Sequence, residues 1–329
     1  MMRCKEGIAS GLCCLLLFST WTVYAETLTY TDKLGRTVDV PLPIKRAVFF
    51  ETYELVAHLG IWDRMVGISR YAYENDLMRA VNPDIERTIP SAGSGLDVNI
   101  EALLKLNPDL VLTWTYKPDI VPFMERKGLT VIAIYLESIA ELYEVMRLQG
   151  RLFQKEEQVQ QSIILMERIF DLIRERVSAI SDSEKKKVLW LGRSPTTVAG
   201  RTGIPHDTFM MIRGENVAAS IHEENTEVSM EQIIAWNPEV IFIWGGAQYK
   251  SKDIMDSDQW RHVTAVKQGR VFKAPHWSRW SPRLALVALW MAKRTYPEHF
   301  RDVNLEAVTE SFFQKLYGIS YQSLNSIED

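Results

Sequence analysis

The residues of this chain best suited to chemistry are aromatic and basic, and they gather just beyond short apolar runs. Trp114-Thr115-Tyr116 follows one run, and Trp244-Gly245-Gly246-Ala247-Gln248-Tyr249 follows another. Tyr71 and Tyr73 come after a run ending near Ser69, and Arg193 after one ending at Leu191. His276-Trp277-Ser278-Arg279-Trp280-Ser281-Pro282-Arg283 comes after one ending near Ala274. Flat aromatic faces suit a large planar or cyclic ligand, and arginine suits its carboxylate or phenolate oxygens. Tyr71, Tyr73, Trp114, Tyr116, Arg193, Trp244, Tyr249, His276, Trp277, Arg279 and Trp280 are therefore the candidate ligand-binding residues. Arg283 reads as structural, fixing the turn before a helix that starts at Leu284.

Covalent catalysis has little to work with. Gly93-Ser94-Gly95 opens like a dinucleotide fingerprint, but Val98 stands where the third glycine is needed. The chain has no Walker A sequence and no nucleophile elbow. His222-Glu223-Glu224-Asn225-Thr226 lacks the second histidine of a zinc-protease helix. The six histidines, His58, His206, His222, His262, His276 and His299, show no ligand-like pair spacing.

The elements that must hold the aromatic residues are written twice. Residues 98–112 and 228–242 align without gaps at an offset of 130, with Glu101 matching Glu231 and Asn107-Pro108 matching Asn237-Pro238. Each copy reads as a short amphipathic helix stopped at Asn-Pro and followed by a buried strand. Proline cannot continue the helix and biases its predecessor away from helical angles. The unbroken apolar run that follows suits a parallel strand covered on both faces. Around the copies the pattern alternates. Strands are expected at 47–50, 65–69, 110–114 and 130–134, with helices at 54–59 and 121–127. In the second half strands are expected at 187–191, 240–244 and 271–274, with a helix at 208–213. This predicts an α/β fold of two lobes with mainly parallel sheets, in which ligands bind beyond the carboxyl ends of the strands. Val159, Ile163, Met166, Phe170, Ile173, Val177 and Ile180 form one apolar stripe, so one long backbone helix over 155–181 joins the lobes. The lobes are then 26–154 and 182–329.

Composition agrees with a packed protein. Of 329 residues, 47% are hydrophobic and 24% charged, and the net charge of −4 argues against nucleic acid as a partner. Residues 1–25 read as a secretory signal peptide: a basic start at Arg3 and Lys5, an apolar stretch through Leu12 to Phe18, and Val23-Tyr24-Ala25 before Glu26. Cleavage there removes all three cysteines, Cys4, Cys13 and Cys14, and leaves no disulfide or thiol chemistry. The expected product is exported, most simply periplasmic.

Lys45-Arg46-Ala47-Val48-Phe49, Asn107-Pro108-Asp109-Leu110-Val111, its second copy, and Ser281-Pro282-Arg283 before a helix resemble the periplasmic binding proteins of ABC importers for iron–siderophores, haem and cobalamin. Arg213-Gly214-Glu215-Asn216 is similar to that family's Gly-Gly-Glu-Asn segment, with Arg213 in place of one glycine. The resemblance covers nearly all of the mature chain. It implies a bilobed, helix-bridged fold with no cofactor and no enzymatic activity. It implies a monomer that carries a metal chelate, a ferric siderophore first, to a permease dimer in the inner membrane. It also implies that Glu101 and Glu231, one per lobe, form salt bridges with arginines of the two permease subunits. Cobalamin or haem remains an alternative, with His276 as a metal ligand. A periplasmic hydrolase and a receptor for free metal ions are the other readings left open.

Overall fold

Asn107 and Asn237 end their helices in the same way, with φ of 42° and 47°. Asparagine visits this left-handed region at little cost, and the proline after each excludes a further helical turn. The next residue of each copy is an acid that ties down its lobe's first strand. Asp109 Oδ2 accepts from the amides of Lys45 and Arg46 at 2.9 and 3.0 Å. Glu239 Oε2 accepts from the amide of Lys187 at 3.0 Å, and its Oε1 meets Lys186 Nζ at 2.9 Å. The sequence repeat is thus also a repeat of hydrogen bonds.

The structure is a computed structural model that describes residues 26–324. The expected signal peptide lies outside the described residues. In the first lobe four parallel strands run in the order Met65–Ile68, Ala47–Phe49, Leu110–Trp114, Val131–Ile134. In the second lobe Lys187–Leu191, Val240–Ile243 and Val271–Lys273 pair in parallel, and the short strands Thr197–Val198 and Thr226–Glu227 add an antiparallel margin. Arg213 sits at φ 56°. It adopts the backbone that a glycine would take there, as the Gly-Gly-Glu-Asn comparison leads one to expect.

The bridging helix is Glu156–Val177. Its 22 residues span roughly 33 Å at 1.5 Å each. Six residues of the apolar stripe, from Val159 to Val177, are buried along it, and Ile180 is buried just past its end. The helix packs against Ile139–Phe153 on the side of the first lobe and against Leu284–Thr295 on the side of the second. A single apolar core continues through all three.

Several elements differ from the sequence expectation. The helix expected at 208–213 is Ile204–Met211, with Pro205 in its first turn, where proline's missing N–H costs nothing. The helices Ile139–Phe153 and Leu305–Tyr317 and the hairpin of Thr27–Thr31 with Thr37–Pro41 were not anticipated. Among the described residues no helix is long and apolar enough to cross a membrane.

Candidate ligand-binding cleft

Residues past the carboxyl ends of the two sheets meet across the lobe boundary, and aromatic rings fill the meeting point. Trp114 closes the strand Leu110–Trp114, and Tyr135 follows the strand Val131–Ile134. Their rings stack at 6.4 Å with planes 12° apart. Trp280, from the segment after the strand Val271–Lys273, sets its edge against both, at 5.9 Å from Trp114 and 5.2 Å from Tyr135. Tyr116 extends the shelf, 5.2 Å from Trp114 and largely exposed. Gly95 lets the adjoining segment lie against this shelf, since a Cβ there would be 3.0 Å from the Cβ of Trp114.

A charged pair stands beside the rings. Arg279 Nη1 meets Glu224 Oε1 at 2.9 Å, and the guanidinium lies 5.1 Å from the Trp190 ring. The Tyr135 hydroxyl donates to Glu224 Oε2 at 3.2 Å, which joins the two lobes. Burial, and then the Glu224 charge, push the Tyr135 phenol well above its usual range, so it stays a donor. Gly203, at φ 94°, clears space for this carboxylate, because a Cβ there would come within 2.6 Å of it. The arrangement offers one guanidinium of reduced exposure, one carboxylate and four aromatic faces to a molecule entering the cleft.

The structure brings four expected residues together, Trp114, Tyr116, Arg279 and Trp280. It places others differently. Trp277 is 8% exposed and packs on Phe313 and Tyr321, with the Arg283 guanidinium 5.6 Å from its ring. Its bulk is used as core under the crossing segment, and not as cleft wall. Tyr73 spends its hydroxyl on the Ile89 carbonyl at 2.8 Å. Tyr249 spends its own on the carbonyls of Gly192 and Ser194, bracing the loop after the strand Lys187–Leu191. Trp244 is half-buried between two apolar clusters. Tyr71 is exposed, carries Arg70 over its ring at 5.1 Å, and lies apart from the shelf. Arg193 and His276 are exposed. Tyr135 and Glu224 were not expected. Tyr135 had a legible signal, being the first residue past a strand that was read correctly. Glu224 had none, because it sits in a loop whose path depends on the other lobe.

Arg283 is a structural lock. It is fully buried with Glu54, and its guanidinium takes both oxygens of that carboxylate, Nε at 2.9 Å from Oε2 and Nη2 on Oε1. Nη1 reaches Asp76 Oδ1 at 2.7 Å. Glu54 Oε1 also accepts from Asn75 Nδ2 at 2.8 Å and from the Ser278 amide at 3.3 Å. Glu54 and Asp76 belong to the first lobe and Arg283 to the second. Such a pair is tolerable in the interior because its hydrogen bonds are nearly all met.

Glu101 and Glu231 are exposed in the first turns of Ile100–Lys105 and Met230–Trp236. Asn99 caps the first helix through the Ala102 amide at 3.0 Å, and Ser229 caps the second through the Gln232 amide at 3.2 Å. Hydrogen bonds from its own backbone amide and from Ser229 hold the Glu231 carboxyl below the usual glutamate range, so it is charged at neutral pH.

A family model described as periplasmic binding protein matches residues 47–276. The molybdate-binding protein MolA of Haemophilus influenzae is 27% identical, over 96% of this chain and 97% of its own. A solved structure of MolA bound to molybdate superposes with a TM-score of 0.78 at 25% identity, covering 89% of this chain and 99% of that one. Helicobacter pylori CeuE with Ni(II) bound gives a TM-score of 0.81 at 25% identity, with 90% and 98% covered. The vitamin B12-binding protein of Salmonella typhimurium is 24% identical over 63% of this chain and 76% of its own.

Proposed function

This chain belongs to the periplasmic binding protein family, and from that membership we propose that it captures an anionic metal chelate and hands it to an ABC importer. It is an extracytoplasmic solute-binding protein, working by binding and not by turnover. The observation that carries the ligand class is Arg279, stacked on Trp190 and held at 2.9 Å by Glu224, whose other oxygen meets Tyr135 of the ring cluster with Trp114 and Trp280. Rings gain little from a small bare ion. They gain area and stacking from an organic body with flat faces, such as a catecholate siderophore. The guanidinium then takes the anionic oxygens, exchanging Glu224 for the ligand.

A second reading is a bare oxyanion. It is favoured by the similarity to the molybdate-binding MolA, which runs the length of both chains. Among the described residues no group of three or more His, Cys, Asp or Glu is placed to hold a metal ion, so the free-metal-ion reading has no ligand set there. Glu101 and Glu231, exposed on matching helices, are the proposed contacts to cationic side chains on the two halves of the permease.

Tryptophan fluorescence decides between the ligand classes. Titration with a ferric tris-catecholate should quench saturably at micromolar or lower concentration, with molybdate and cobalamin much weaker. Tighter binding of molybdate would replace the chelate reading with the oxyanion one.

A further inference from the structure

Glu51 stands at the carboxyl end of the first-lobe sheet, beside the strand that ends at Trp114 of the aromatic shelf. It follows the strand Ala47–Phe49 at its carboxyl end, between strands that end at Ile68 and Trp114. Two bonds pin that corner: Ser69 N donates to Phe49 O at 2.8 Å, and Phe50 N to Leu112 O at 2.9 Å. The segment 276–283 crosses on either side of that corner, with the Ser278 amide on Glu54 and Trp280 on Trp114.

The backbone beside Glu51 is strained. Thr52, a β-branched residue, sits at φ 53°, and its buried hydroxyl accepts from Gln149 Nε2 at 2.6 Å. Threonine at positive φ is uncommon and persists where the surroundings over-determine it.

The half-buried Glu51 carboxyl forms no hydrogen bond or ion pair with any described side chain. The arginines of the surrounding elements are committed elsewhere: Arg283 to Glu54 and Asp76, Arg279 to Glu224, and Arg70 to Asp97. On its own segment the titratable neighbours are Tyr53 and Glu54. From the packed elements they are Asp76 and Arg283, which act on Tyr53 together with Glu51. His276 and Arg279 lie on the crossing segment, and Tyr317 on the C-terminal helix faces Glu54, Asp76 and Arg283. An ionised carboxylate here would repel the anion that the cleft is proposed to hold.

We infer that Glu51 serves as a neutral carboxylic acid that donates a hydrogen bond to an anionic oxygen of the bound ligand, so that it selects for anions in the cleft. This rests on the anionic-ligand reading above. Burial without a compensating cation pushes the Glu51 carboxyl up to about 8, which keeps it protonated at neutral pH. Tyr135, past the carboxyl end of another strand of the same sheet, is likewise kept as a donor.

The test is the pH dependence of binding by the full-length mature protein, with ferric tris-catecholate and molybdate as separate probes. With the donor lost above about pH 8, wild-type affinity should fall by about thirtyfold between pH 6.5 and 9.5. Glu51→Gln keeps a donor of the same length. It should bind within about twofold of wild type at pH 6.5 and lose the Glu51 part of the slope. Comparing the two proteins at each pH cancels the titration of the probe and of other groups. A Glu51→Gln profile that tracks wild type overturns the inference. So does a wild-type affinity that rises with pH while Glu51→Gln fails to bind, since that is a carboxylate ligating metal. If neither probe binds wild type, the anionic-ligand reading fails by itself. Difference infrared spectra of probe-free protein still decide the state of Glu51. A protonated-carboxyl band present at pH 6.5, lost by pH 9.5 and missing in Glu51→Gln supports the inference, and absence of that band from wild type overturns it.

Discussion

The Tyr135 hydroxyl donates to Glu224 Oε2 across the lobe boundary, while Glu224 Oε1 takes the Arg279 guanidinium. Glu224 therefore occupies the place on Arg279 that an anionic ligand would need. On the proposed reading, entry of the ligand would exchange one oxygen partner of Arg279 for another.

Arg279→Ala should weaken the ferric tris-catecholate at least tenfold, because loss of a desolvated charged contact costs about 2 kcal/mol or more. A neutral ligand should lose much less. Fluorescence titration of both checks this, and equal losses would remove Arg279 from anion recognition.

Glu224→Gln should act in the opposite direction. Removing the resident carboxylate frees Arg279, and affinity for the anionic probe should rise roughly threefold to tenfold at low salt, less at high salt. Calorimetric titration at two ionic strengths measures it. Weaker binding would mean that Glu224 positions Arg279 and does not compete for it.

Arg283→Ala should destabilise the protein by about 3–5 kcal/mol, since it leaves the Glu54 carboxylate buried and unpaired. Arg283→Ala combined with Glu54→Gln should recover part of that loss. Urea unfolding of both variants gives the comparison, and an additive loss in the double variant contradicts the pairing.

Acid should loosen the junction of helix Glu54–Leu59 with the bridging helix. His58 faces the Leu316 and Gln158 carbonyls at 3.2 Å each, and burial holds its imidazole below the usual histidine range. The unfolded chain takes the proton first, so stability present above about pH 6.5 is lost as pH falls below that value. Melting curves between pH 7.5 and 5 should show the loss, and His58→Gln should flatten it.

Glu101→Ala together with Glu231→Ala should reduce uptake strongly in cells while leaving ligand affinity within about twofold of wild type, as exposed charges at a rim act on the partner and not on the distant cleft. Uptake of labelled chelate beside a binding titration tests this, and unchanged uptake removes the docking role.

Much of the fold was legible because local signals repeat. The strands at Leu110–Trp114 and Lys187–Leu191 and the helix Glu54–Leu59 match the expectation residue for residue. The helix Ile139–Phe153 is weakly marked in sequence despite its Ser138 cap on the Glu141 amide, because its buried face includes Gln149 and Gly150, which dilute the apolar pattern. The site was less legible. Trp280 and Trp277 are three residues apart in one segment, yet only tertiary packing decides that Trp280 meets Trp114 and Trp277 meets Phe313. Glu51 and Glu224 carry no sequence signal, since what marks each is the presence or absence of a partner from a distant part of the chain.

The bridging helix, with Arg283 locked to Glu54 beside it, holds the two lobes at one spacing. Glu101 and Glu231 ride on those lobes. If that spacing is kept on loading and Glu101 and Glu231 dock as proposed, an empty carrier would present nearly the same face to the permease as a loaded one, and the two would compete for it. The importer would then have to sense its cargo after docking, and a large excess of empty carrier should slow uptake instead of speeding it.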